Sequence, residues 1–81
     1  MENKLSIIGI FIQTHEAVVE VNNLLHQYSD KIVGRMGLPY RDRGVNVISV
    51  IIDAPADDIS ALAGKLGKIP GISAKTMQSK F

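Results

Sequence analysis

Leu5-Ser6-Ile7-Ile8-Gly9-Ile10-Phe11-Ile12 carries apolar groups on both of its faces. Successive side chains of a strand point to opposite sides. Ser6, Ile8, Ile10 and Ile12 therefore share one face, and Leu5, Ile7, Gly9 and Phe11 the other. Val45–Ile52 repeats the pattern, with Asn46, Ile48, Val50 and Ile52 against Val45, Val47, Ser49 and Ile51. A strand with one wet face alternates apolar with polar residues, whereas a strand covered on both sides reads as these do. Both stretches are central strands of one sheet. We assign Ile8, Ile10, Ile12, Ile48, Val50 and Ile52 to the core beneath the helices. Gly9 and Ser49 then fall on the opposite face, where small side chains let another sheet approach closely.

The segments around these strands complete the plan. Thr14 is placed to cap a helix over about Thr14–Tyr28, its side chain accepting from a free first-turn amide. Val18, Val21, Leu25 and Tyr28 recur at helical spacing and predict its buried stripe. A second helix is expected over about Pro55–Leu66, with Pro55 at its first position, where a missing N–H is harmless. Asp57 and Asp58 lie near its positive end, Lys65 and Lys68 near its negative end, and Ile59, Leu62, Ala63 and Leu66 form its stripe. Gly67 suits a left-handed position after that helix, and Gly64 inside it predicts close backbone packing. Pro39–Gly44, with its Pro, Gly and charges, reads as a hairpin tip. A closing strand is expected over about Ile72–Met77.

Strand, helix, strand, strand, helix, strand is the split βαβ, ferredoxin-like plan. It predicts an α+β two-layer sandwich, a four-stranded antiparallel sheet with two helices on one face, as a single domain over residues 1–81. An 81-residue chain buries only about 60% of its unfolded surface when it folds alone. The uncovered apolar face therefore predicts a homo-oligomer, a dimer or tetramer.

Composition narrows the function classes. A net charge of +1 offers no pull toward nucleic acid, for which a clustered basic face is expected. RNA recognition by such a sheet wants stacking aromatics on the first and third strands; the first has only Phe11 and the third none. Without cysteine there is no disulfide and no thiolate metal site. Leu5–Ile12 is too short to span a membrane, and no signal-peptide cleavage pattern follows it, so a cytoplasmic protein is expected.

No catalytic constellation stands out. His15 and His26 are eleven residues apart, which sets them about 16 Å apart along a helix axis, too far to share one ion within a subunit, where zinc–imidazole bonds are about 2 Å. Neither is assigned a metal, a site built across a subunit interface being left open, and no cofactor is expected. Adjacent Asp57 and Asp58 point in different directions, which is poor geometry for a general acid–base pair. An acylphosphatase-like hydrolase on this plan would want an arginine and an anion cradle after the first strand, where Phe11-Ile12-Gln13-Thr14 has none. That enzyme, and a structural subunit of a larger complex, are the alternatives to a regulatory module. Gly64–Gly71 superficially resembles a phosphate loop, but it ends a helix instead of opening one. The remaining candidates are arginines. In the basic group Arg35, Arg41 and Arg43, Arg35 in the second strand and Arg41 near the hairpin tip are placed to converge on an anion or on a neighbouring subunit's carboxylate. The alternative is a solvated hairpin with Asp42 between two arginines, and structure or interface is favoured over a ligand. Arg35, Arg41, Gly9 and Ser49 are thus the candidate ligand-binding or interface residues.

Asn23-Leu24-Leu25-His26-Gln27-Tyr28-Ser29, Arg35-Met36-Gly37-Leu38-Pro39-Tyr40-Arg41 and Leu62-Ala63-Gly64-Lys65-Leu66-Gly67-Lys68-Ile69-Pro70-Gly71 together resemble the small proteins called iron-only hydrogenase system regulators. The resemblance spans nearly the whole chain in the same order. It implies an ACT-like form of the ferredoxin-like fold, related to the C-terminal domain of the nickel-responsive repressor. It also implies a non-enzymatic regulatory or ligand-sensing role in transcription linked to the genes of iron-only hydrogenase and its maturation, with a small-molecule ligand at the subunit interface. The repressor's regulatory domain holds metal through several His and a Cys; this chain has two His and no Cys. Amino-acid-binding ACT domains carry a glycine-containing turn after the first strand, where Gln13-Thr14-His15 stands here. With no separate DNA-binding domain in these residues, an effect on transcription needs a partner or a borrowed surface.

Overall fold

β1 (Asn3–Ile12), α1 (His15–Gln27), β2 (Ile32–Tyr40), β3 (Val45–Pro55), α2 (Ala56–Gly67) and β4 (Ile72–Gln78) follow one another in the computed structural model. The structure describes residues 2–81; Met1, the first residue of the expected domain, lies outside the described residues. The strands form one antiparallel sheet in the order β2-β3-β1-β4. This is the ferredoxin-like α+β sandwich, with β1 and β3 at its centre as their two-sided apolar pattern requires.

The parity of the central strands holds. Ile8, Ile10, Ile12, Val50 and Ile52 are fully buried and Ile48 nearly so. From above, α1 contributes Ala17, Val21 and Leu25, and α2 contributes Ile59, Leu62 and Leu66. Val18, Tyr28 and Ala63 of the expected stripes are only partly buried. Each fully buried Ile or Leu contributes about 1.5–3 kcal/mol, so this single layer of side chains is the main source of stability.

Helix ends follow local chemistry. Thr14 is extended, and its Oγ1 accepts from the Ala17 N–H at 3.1 Å. Pro55 proves to be the cap of α2, with φ −58° and ψ 148°, one position earlier than expected. Asp57 and Asp58 occupy the first turn and Lys65 the last, complementing the macrodipole.

Two glycine expectations are corrected. Gly67 is the last residue of α2, and Lys68 beyond it stays right-handed at φ −88°. The Lys68 N–H donates to the Lys65 carbonyl at 3.2 Å, so the last turn tightens instead of reversing. The reversal falls later, at Gly71 with φ 85°. Gly64 does not mark close packing either, since a Cβ there would meet nothing within 4 Å. The hairpin tip is as expected: a 3-10 turn, Arg41–Arg43, ends on Gly44 in the left-handed region at φ 65°.

Candidate functional site

The sheet face away from the helices is laid out in rows by the strand register. The middle row runs Met36, Ser49, Gly9, Lys75 from β2 to β4. Toward the hairpin end the next row is Leu38, Val47, Phe11, Ser73; toward the other end it is Gly34, Ile51, Ile7, Met77. Leu5 and Asp53 pair beyond the latter, and Tyr40 and Val45 beyond the former. Leu5, Ile7, Phe11, Met36, Leu38, Tyr40, Ile51 and Met77 on this face are 39–70% exposed.

Gly9 and Ser49 are thus brought together, directly paired across β1 and β3 at the middle of the open face. They are the smallest side chains that β1 and β3 present on this face. A Cβ at Gly9 would meet nothing within 4 Å. Apolar ridges flank them, Ile7 and Ile51 on one side and Phe11 and Val47 on the other, about 13 Å apart at the strand rise.

Arg35 and Arg41 are not brought together, which corrects their expected convergence. Arg35 pairs with Val50, so it stands on the helix side of β2, and its Nη2 donates to Asn22 Oδ1 on α1. Arg41 begins the 3-10 turn at the far end of β2. At least roughly 16 Å of strand separates them. Strand parity was the missing signal: Arg35 shares its face with Gly37 and Pro39, while Met36, Leu38 and Tyr40 share the open one.

The hairpin end holds a cleft of about 370 Å³ lined by Phe11, Gln13, Tyr40, Arg43, Val45 and Val47. Next to it Arg41 lines a shallower hollow with Pro39, Tyr40, Gly44, Val45 and Asn46. Phe11 and Tyr40 supply apolar walls, Arg43 a fixed positive fork, and Gln13 both a donor and an acceptor. The lining thus combines apolar walls with one positive charge and one hydrogen-bonding amide. Sequence reasoning did not single out Tyr40 or Gln13, because their proximity depends on β2 and β1 both flanking β3. His15 and His26 sit near opposite ends of α1, and no group of three or more His, Cys, Asp or Glu placed to hold a metal ion occurs among the described residues. No helix among them is long and apolar enough to cross a membrane.

These features define a class: a small ferredoxin-like α+β module with helices on one sheet face and a broad apolar surface on the other. Residues 4–76 match the family described as "TM1266-like: Iron-only hydrogenase system regulator, putative". The chain belongs to that family, whose description assigns its members to regulation of the iron-only hydrogenase system. It is similar to the uncharacterized protein TM1266 from Thermotoga maritima, with 36% identity over 98% of this chain and 100% of that one, at a TM-score of 0.94. It is also similar in fold to the C-terminal domain of the MgtC protein from Mycobacterium tuberculosis (12% identity, 95% of this chain and 88% of that one, TM-score 0.75). A formyltetrahydrofolate deformylase from Pseudomonas putida KT2440 shares the fold over 90% of this chain and 28% of its own length, at 17% identity and a TM-score of 0.69. At those identities the last two show the fold alone. No curated protein sequence matches the chain.

Proposed function

We propose that this chain is a non-enzymatic, ligand-sensing regulatory module of the iron-only hydrogenase system, working in the cytoplasm as a homo-oligomer and affecting transcription through a partner. The observation that carries the reading is the exposed apolar sheet face in a member of this family: it suits a protein that acts by association. The ligand-sensing part rests on the cleft of Phe11, Gln13, Tyr40 and Arg43 beside that face. Its lining favours a small anion with an apolar or aromatic body, and its position at the end of the face would couple occupancy to association. An ACT-like mode of regulation fits the same arrangement. Deleting the gene and measuring transcripts of the hydrogenase and its maturation genes tests the regulatory role; unchanged transcripts with and without hydrogenase induction would sink it. Native mass spectrometry of the purified protein tests the sensing role by reporting retained small molecules together with the assembly.

A further inference from the structure

We propose that the occupant of the open sheet face is a second copy of this chain, packed face to face, with the trough at Gly9 and Ser49 receiving side chains of the partner's ridges. This deepens the homo-oligomer of the proposed function and rests on it, but it specifies the surface and the fit.

Area is the first argument. At roughly 150–200 Å² for each large side chain, the exposed fractions of the eight apolar residues on this face leave on the order of 600–800 Å² in one patch. A stable complex buries about 800 Å² per partner, and the largest apolar patch on a typical monomer is about 300–600 Å². The face therefore approaches one half of a standard interface and lies at or above the upper end of what a free monomer carries.

Shape is the second. A two-fold interface presents the same patch on both sides and so must be complementary to itself. The small central pair Gly9 and Ser49, between the ridges Ile7–Ile51 and Phe11–Val47, meets that condition, because each copy offers both a ridge and a trough. Charge is the third. Of the strand residues on this face only Asp53 and Lys75 are charged, of opposite sign and on different strands, and the whole chain carries only +1, so two copies meet without strong repulsion. The edge of β2 is a poorer meeting place: it carries Pro39 and a register shift between Ile32 and Gly34, both of which discourage strand addition.

Sedimentation equilibrium of the full chain at micromolar concentration tests the proposal with three variants. The wild-type protein should sediment as a dimer or a multiple of it, well above 8.8 kDa. Gly9→Val adds bulk to the trough from a Cβ that meets nothing within 4 Å inside its own protomer, so circular dichroism should be unchanged while the dissociation constant rises at least tenfold. Met36→Glu with Leu38→Glu should give a folded monomer. Val19→Glu, on the exposed surface of α1, should leave the assembly intact. A monomeric wild type, a Gly9→Val protein that associates as the parent does, or dissociation by Val19→Glu alone would each overturn the proposal. A monomeric wild type would leave the regulatory reading to its own transcript test.

Discussion

Gly71 stands against Thr14 so closely that a Cβ on the glycine would lie 3.3 Å from both Oγ1 and Cγ2 of the threonine. The Gln13 N–H also donates to the Gly71 carbonyl at 2.8 Å. The turn into β4 is thus seated on the cap of α1, joining two connections far apart in sequence. Gly71 is further constrained by its φ of 85°. Gly71→Ala should therefore destabilise the protein by at least about 1 kcal/mol, from left-handed strain and crowding together. Thr14→Ala should cost about 1 kcal/mol through loss of the cap. Because the residues touch, the double variant should depart from additivity; urea melts of the four proteins measure it.

Gly64 and Gly67 should behave in the opposite way. Both lie within α2, neither has a positive φ, and a Cβ at either meets nothing within 4 Å. Replacing each by Ala removes the entropic cost of glycine in a helix, so each should stabilise by about 0.5–1 kcal/mol. A lower urea midpoint for Gly67→Ala would mean that α2 ends before that residue.

Ser6 is fully covered on the helix side of β1, and its hydroxyl has no hydrogen-bond partner among the described residues. A buried hydroxyl left unpaired costs about 1–3 kcal/mol. Ser6→Ala removes the polar atom and opens only a small space, so stability should rise by about 1 kcal/mol or stay level. A clear loss in a thermal melt would show that the hydroxyl does find a partner in solution.

Arg35 and Arg43 should separate structural from recognition roles. The Arg35 contact to Asn22 is exposed, so Arg35→Ala should change stability by less than about 1 kcal/mol and leave both assembly and anion binding alone. Arg43→Ala should weaken binding of an aromatic carboxylate in the hairpin-end cleft, and Arg43→Lys should restore it only in part, since an ammonium lacks the guanidinium fork. Calorimetry with a panel of aromatic and aliphatic carboxylates would decide it; equal binding by all three proteins would remove Arg43 from the site.

Much of the fold was legible because it rests on short-range patterns. The double parity of Leu5–Ile12 and Val45–Ile52 identified the central strands and the side that faces the helices, and the cap at Thr14 marked the start of α1. Gly67 misled because glycine after a helical stripe is ambiguous between a last helical residue and a left-handed cap. The choice depended on where the chain had to turn to reach β4, which placed the reversal at Gly71.

The site divides along the same line. The sequence by itself determined that Gly9 and Ser49 are small residues on a second apolar face, because strand periodicity assigns a face to every residue. Only the tertiary structure decided that they are direct partners, that Arg35 turns toward α1 while Arg41 stays at the hairpin tip, and that Phe11, Tyr40 and Arg43 line one cleft. Those relations come from strand order and register. A shift of one residue in β2 would have exchanged Arg35 with Met36 between the faces, and the pairs that prevent it, Arg35 with Val50 and Met36 with Ser49, join residues fifteen and thirteen apart along the chain.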